Sequence, residues 1–420
     1  MDEKLKKATE ICERYHQEQL LDAYKRITSE KEKQDFLDKI LTINFKQIEE
    51  IYEGKNENKV KFTNENVEPI DFVDKCKLSK DEYEKYEKIG VEKIKSGKLA
   101  VITMAGGQGT RLGHNGPKGT YDLGLASHKS IFEILTDTLK EAREKYNVDI
   151  PWYIMTSDDN DEETQDFFHK NSFFGYPQKC VNFFKQGKLP MVDKNGKILI
   201  DENGRIKEAS DGHGGIFQSL RKDGVLFDLK SKNIEWVFIG GVDNVLVKPV
   251  DSVLIGLTCS RKAEAAGKSI IKASPTEKVG VFCKHNGKPS VIEYSEISKG
   301  MAEERLPNGE LKYKESHILC NLFSWQAIEK ISTQKLPYHK ALKKATFTDK
   351  NGKVIIPDEP NAYKFESFLF DAFESLDNIV ILRVKREEEF APVKNKEGQD
   401  SPETARKLYI DFHTKQNSEK

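Results

Sequence analysis

The chain has 420 residues, and its 68 Lys+Arg nearly balance 69 Asp+Glu. Charges of both signs are interspersed, so no basic field marks it as a nucleic-acid or membrane-surface binder, and any anion site must be local. A single hydrophobic core rarely extends past about 250–300 residues, which leads us to expect two or three domains. Six cysteines (Cys12, Cys76, Cys180, Cys259, Cys283, Cys320) form no CxxC pair, arguing against a zinc site or disulfide framework and for a reducing cytoplasm. The N-terminal "MDEKLKKATEICERYHQEQL" lacks a signal-peptide core, and no later run approaches the roughly 20 apolar residues of a membrane span.

Residues 1–95 are Lys/Glu-rich, with Leu20, Leu21, Tyr24 and Ile27 at helical spacing, and are expected to form an exposed helical segment. From Leu99, short β-rich runs ("LAVITM", "WYIMTS", "VNFFKQ", "WVFIGG", "GKSIIKA") alternate with helical patterns such as "KSIFEILTDTLKEAREKY", where Ile131, Ile134, Leu135 and Leu139 share a face. That alternation predicts an α/β fold: a mixed, mostly parallel, Rossmann-like sheet flanked by helices. "VDKNGKILIDENGRI" and "FCKHNGKPSVIEY" read as hairpin insertions turning at Asn-Gly, and "FTDKNGKVIIPDEP" carries a third such turn. We expect a catalytic domain over 96–334 and a small C-terminal domain over 335–420. The Phe pairs at 167–168, 173–174 and 183–184 are expected in the core.

The stretch "LAVITMAGGQGTRLGHNGPKG" runs from an apolar strand into a loop with Gly106, Gly107, Gly109, Gly113, Gly116 and Gly119. Glycine lets backbone N–H groups approach an anion closely, so the loop reads as a phosphate cradle. A P-loop would need GxxxxGK[ST], but Lys118 follows Pro117 and precedes Gly119. A dinucleotide fingerprint would need an acidic residue about 20 positions on, whereas Asp158-Asp159 lies much later. What remains is a loop offering two cations, Arg111 and Lys118, to a polyphosphate.

"AGGQGTRLG…PKG" followed by "YDLGL" resembles the signature of UTP-dependent sugar-1-phosphate uridylyltransferases, most closely UDP-N-acetylhexosamine pyrophosphorylases. The likeness continues through "FFKQGKLP", "ASDGHGGIF", "GVDNVLVK", "KVGVFC", "VIEYSEIS", "CN", "PNAYKFESFLFD", "REEEFAPVKN" and "TAR", covering roughly residues 95–410 in family order.

The resemblance implies the fold of nucleotide-diphospho-sugar transferases and a reaction of UTP with a sugar 1-phosphate that gives UDP-sugar and pyrophosphate. It implies that Gly106, Gly107, Arg111 and Lys118 hold the nucleotide, that Gln186 and Gly212 read the uracil, and that Asp243 holds catalytic Mg²⁺. Gly280, Glu293 and Asn321 match sugar-binding positions, and Lys364 and Lys394 match lysines that reach the phosphates. The attacking oxygen is already anionic, so positioning and positive charge are needed rather than a general base. His213 departs from the pattern: "DGHGG" stands where the N-acetylhexosamine enzymes usually read "DGNGG", while glucose-specific relatives tend to carry "GHG". N-acetylglucosamine 1-phosphate is the expected substrate, and glucose 1-phosphate stays open. Also open are a binding protein that keeps the fold without the chemistry, and a glycosyltransferase, which the cradle for a triphosphate disfavours. Several residues have plainer readings: Asp243 as a helix N-cap, Gln186 and Gly212 as turn residues, His213 as a loop or helix-cap residue.

Overall fold

The five β-rich runs all become strands of one sheet: Leu99–Met104, Trp152–Thr156, Val181–Lys185, Trp236–Gly241 and Ala265–Ile271. The protein is seen here as a computed structural model that describes residues 3–54 and 62–418. The sheet runs in the order Val73–Asp74, Ile379–Arg383, Ala265–Ile271, Glu315–Ser324, Trp236–Gly241, Leu99–Met104, Trp152–Thr156, Val181–Lys185. Glu315–Ser324 is antiparallel to both neighbours, and the remaining pairs along this path are parallel. Every residue of Leu99–Met104 is buried, as a strand covered on both faces requires. The helix Ile131–Tyr146 buries the four apolar residues expected on its inner face, and Ser130 caps it by accepting a hydrogen bond from the Glu133 N–H. Of the phenylalanine pairs, Phe168, Phe173 and Phe184 are buried, and Phe168 has the rings of Phe132, Trp152, Phe174 and Phe183 around it. The "FCKHNGKPSVIEY" hairpin forms as expected, with Asn286 and Gly287 both at positive φ, as a type I′ turn demands.

The chain divides along lines other than the three consecutive segments expected. A larger unit comprises residues 61–186, 216–335 and 370–420, and a smaller one comprises 1–60, 187–215 and 336–369. The N-terminal helices Glu3–Arg14, Glu18–Arg26, Glu30–Thr42 and Phe45–Tyr52 are not an exposed appendage. Leu20, Phe36, Leu37 and Ile40 bury their faces in one core with Val192, Ile198, Ile200, Tyr338 and Phe365. That unit carries an antiparallel sheet of His339–Lys343, Ala362–Glu366 and Val192–Asp193. The segment 335–420 is split because "IVILR" supplies the strand Ile379–Arg383, which pairs in parallel with Ala265–Ile271 in the larger unit. Lys364 and Lys394 therefore belong to different units. Among the described residues no helix is long and apolar enough to cross a membrane.

In the larger unit a fully buried lysine anchors the sheet. Lys268 Nζ lies 2.8 Å from Asp251 and 2.5 Å from Glu389, and Lys75 lies 2.9 Å from Asp251. Asp251 also caps the helix Ser252–Ser260, accepting from the N–H groups of Val253 and Leu254. Burial alone would raise the Asp251 carboxyl, but Lys268 and Lys75 outweigh it and hold the group well below the usual carboxylate range. A depressed folded-state pKa stabilises the protein above the unfolded value of about 4 and loses that contribution as pH falls toward the folded value. Asp251→Asn keeps the cap and removes the charge, leaving Lys268 with one carboxylate. It should lower stability at pH 7 by roughly 3–5 kcal/mol and flatten the decline between pH 5 and pH 2, as denaturant unfolding across pH will show.

Candidate active site

The glycine loop leaves the end of Leu99–Met104 and folds back on itself. The Gly109 N–H donates to Gly116 O at 2.9 Å, the Lys118 N–H donates to Gly107 O at 3.1 Å, and Gln108 and Pro117 form an antiparallel bridge. Asn160, buried, braces its root by donating from Nδ2 to Ala105 O at 2.9 Å, and Gln108 Nε2 reaches Asp159 O at 3.0 Å. Gly113 holds φ at 72°, where a side chain would be strained. A Cβ on Gly106 would stand 2.6 Å from Gln186 Oε1, so these two residues meet directly and a side chain at 106 would push the amide aside. Gly107 faces open space. Arg111 is exposed and Lys118 half-buried, and among the described residues neither has a carboxylate within ion-pair distance.

The adjacent parallel strand Trp236–Gly241 delivers a carboxylate to the same end of the sheet. Met104 pairs with Gly241 in register, and the Val242 N–H donates to Met104 O at 3.1 Å. Asp243 follows, its carboxylate mostly buried and 4.0 Å from Lys394 Nζ. Its plainer reading as a helix cap does not hold, since no helix begins there: the next starts at Ser252 and is capped by Asp251. Gly241 makes space for it, because a Cβ there would come within 2.7 Å of Asp243 Oδ1. Lys394 is brought in by Asn244. That buried side chain accepts from the Ala391 and Leu246 N–H groups and donates to Glu389 O at 2.8 Å, while Val393 N–H donates to Asp243 O at 2.8 Å. Crevices at the carboxyl ends of neighbouring parallel strands are where open α/β sheets bind ligands.

A third group gathers Gly280, Glu293 and Asn321. A Cβ on Gly280 would stand 3.3 Å from Glu293 Oε1, Gly280 O accepts from the His317 N–H at 2.9 Å, and His317 Nε2 lies 3.0 Å from Asn321 Oδ1. Gly212, His213 and Lys364 belong to the smaller unit. Gly212 has φ 86° and packs on the backbone of Ser367. His213 Nδ1 accepts from the Leu369 N–H at 3.0 Å, its ring 5.4 Å from Phe368, so the imidazole braces the backbone at 368–369. Lys364 Nζ donates to Glu366 at 2.7 Å and Ser210 at 2.9 Å and so is a paired cation, unlike Arg111 and Lys118.

The family described as UTP–glucose-1-phosphate uridylyltransferase matches residues 13–400. The chain belongs to this family. It is 39% identical over 348 residues to the UDP-N-acetylglucosamine pyrophosphorylase of Saccharomyces cerevisiae, covering 80% of this chain and 73% of that one. It is 38% identical over 341 residues to the UDP-N-acetylhexosamine pyrophosphorylase-like protein 1 of Homo sapiens, covering 78% and 67%. The solved uridine diphosphate N-acetylglucosamine pyrophosphorylase of Trypanosoma brucei superposes with a TM-score of 0.82 at 29% identity, covering 99% of this chain and 86% of that chain. A UDP-glucose pyrophosphorylase of Leishmania major, at 16% identity and TM-score 0.68, shares the fold.

As a member of this family the protein is a nucleotidyltransferase, and the resemblance read from its motifs holds. Two residues that organise the site escaped the sequence reading. Asn244 stood in view inside "VDN", but its task is set by backbone groups far along the chain that no local pattern signals. His317 precedes "CN" by three positions, outside any spacing that a strand makes meaningful. Asn244→Ala would leave buried backbone groups unpaired at about 1–3 kcal/mol each. We expect it to lower the unfolding midpoint and to reduce turnover about as much as Lys394→Ala does, the two being compared by denaturation and steady-state kinetics.

Proposed function

We propose that the protein transfers the uridylyl group of UTP to N-acetylglucosamine 1-phosphate, releasing pyrophosphate. The observation that carries this reading is the pair of cations on the glycine loop, Arg111 and Lys118, without carboxylate partners beside a strand whose neighbour presents Asp243 and Lys394. Ion pairing neutralises many of the chain's other lysines and arginines, so unpaired cations in a glycine cradle are suited to a triphosphate. Gln186, touching Gly106, offers an amide to the uracil edge. The names of the relatives support the acetylated sugar. Glucose 1-phosphate is the second reading, favoured by His213 in "DGHGG". Six free cysteines are consistent with a reducing cytoplasmic setting.

Among the described residues no cluster of three His, Cys, Asp or Glu could cage a metal. That suits Mg²⁺, which takes one or two carboxylates and completes its shell with phosphate oxygens and water. Asp243 fits as the carboxylate, a hard oxygen donor with room made by Gly241. Bound there, the ion would neutralise charge on the nucleotide phosphates. The chain's own residues have the remaining tasks: Arg111 and Lys118 hold the triphosphate and oppose the charge that develops as pyrophosphate departs, and Lys394 draws the sugar phosphate toward the α-phosphorus. A sugar phosphate is already a nucleophile at pH 7, so the barrier falls by alignment and electrostatics rather than by proton removal.

Incubation with UTP, Mg²⁺ and a panel of N-acetylglucosamine, N-acetylgalactosamine, glucose and galactose 1-phosphates tests the proposal by pyrophosphate release. The first should give the highest kcat/KM, and no release with any of the four would refute it. Arg111→Ala and Lys118→Ala should each lower kcat about 10²–10³-fold with an unchanged unfolding midpoint. Asp243→Asn should abolish most Mg²⁺-dependent turnover, because a neutral amide is the weaker ligand. An unaltered Mg²⁺ titration in that variant would remove Asp243 from the role.

A further inference from the structure

His317 and Asn321 lie four residues apart on the strand Glu315–Ser324, a spacing that separates residues by about 13 Å along a regular strand. Here His317 Nε2 is 3.0 Å from Asn321 Oδ1. A bulge closes the gap. Opposite this stretch, Asn321 pairs with Gly267 and His317 with Ser269, so one intervening residue on one strand faces three on the other. Within it Leu319 sits at φ 54°, a left-handed conformation unusual for leucine. Strained backbone of this kind persists where surrounding structure enforces it, and it concentrates at functional sites.

The histidine ring is locked. Phe282, Phe370 and Phe373 meet it edge-on with centroids 5.0, 5.6 and 6.3 Å away, and the backbone N–H of His317 donates to Gly280 O. Asn321 is fully buried, and with Oδ1 engaged by the histidine its Nδ2 has no partner among the described residues. A buried amide N–H left unpaired is destabilising until something supplies an acceptor. We propose that His317 is a positioning residue that fixes the rotation of the Asn321 amide, so that Nδ2 is presented as a donor to the acetamido carbonyl of the sugar. The inference rests on the reading of Gly280, Glu293 and Asn321 as the sugar pocket. His317 donates from Nε2 to Oδ1 and thereby excludes the flipped amide, which would turn an oxygen toward the carbonyl and repel it. Gly280, whose carbonyl accepts from the backbone of the same histidine, packs closely on Val291 and Glu293, where a Cβ would come within 2.8 Å of Val291 Cγ1.

The test is the ratio of kcat/KM for N-acetylglucosamine 1-phosphate to that for glucose 1-phosphate, with KM for UTP measured alongside. His317→Phe, or His317→Leu should the first not fold, is expected to lower the ratio about tenfold or more through the KM of the acetylated sugar, with the UTP KM unchanged within about twofold. His317→Gln, whose amide can donate from the position of Nε2, should restore the ratio to within about threefold of the wild type. In an Asn321→Ala background His317→Phe should change the ratio less than about twofold, since the histidine acts through the amide. An unchanged ratio in His317→Phe overturns the proposal, as does an unchanged ratio in Asn321→Ala. A parallel loss for both sugars and UTP would likewise overturn it, assigning the residue to packing alone. A wild-type enzyme that releases no pyrophosphate with either sugar would instead strike down the proposed function.

Discussion

Lys268 sits in the middle of a sheet with no exposure to water, and an unpaired ammonium there would be untenable. It requires Asp251 and Glu389 around it, and this requirement draws together a strand, the start of the helix Ser252–Ser260 and the segment Arg386–Glu389. The last of these matters most for chemistry. Glu389 is five residues before Lys394, and Asn244 takes the intervening backbone at Glu389 O and Ala391 N. The charge cluster and the amide thus fix the same short segment from two sides, one by electrostatics and one by directional hydrogen bonds. A lysine near the end of the chain is thereby placed beside an aspartate at the end of a central strand. The pairing of Asp243 with Lys394 depends on both interactions.

The legible part of this architecture follows from local periodicity. "LAVITM" and "WVFIGG" are continuous apolar runs, and such runs can only be strands buried on both faces or buried helix; their length and their glycine-rich ends decided for strands. The Asn-Gly in "FCKHNGKPSVIEY" needs two consecutive positive φ values and so announces its hairpin. The glycine cradle was legible for a related reason. A loop that folds back on itself with φ near 72° at Gly113 needs glycine, and that composition survives in a single sequence. The family likeness then named the positions on either side of it, and Gly106 with Gln186, Asp243 with Lys394, and Gly280 with Glu293 are adjacent in space.

What local periodicity does not encode is which segments share a core. The stretch 335–420 looks continuous, but "AYKFE" pairs with His339–Lys343 and Val192–Asp193, whereas "IVILR" pairs with Ala265–Ile271. Both are β-rich runs of five residues, and nothing within either says which partner it will take. The same limit hid the N-terminal helices' burial: Lys and Glu dominate their composition, but Leu20, Leu37 and Ile40 are each fully buried. A charged helix with a narrow apolar stripe is equally suited to water on most of its surface and to a core along one line.

Composition misleads in a second way at the site itself. A net charge of −1 says nothing of electrostatic function, because it does not distinguish cations held in ion pairs from cations that are not. Charge stays available only where that pairing is absent. Arg111 and Lys118 keep their charge available, Lys394 shares a carboxylate at 4.0 Å, and Lys364 is held against Glu366 at 2.7 Å, a graded series from open to engaged. Asn321 belongs to the same logic in neutral form: a donor left without a partner in a core where nearly every polar group has one. Leu319 is its backbone counterpart, holding a conformation its side chain disfavours. Stability alone would have removed each of these features, by pairing the cation, satisfying the amide or placing glycine at 319. Asn321 and Leu319 lie on Glu315–Ser324, which pairs with Trp236–Gly241, the strand before Asp243, and the loop of Arg111 and Lys118 leaves the next strand along, so unpaired charge, an unpaired amide and backbone strain gather on adjoining strands of the larger unit.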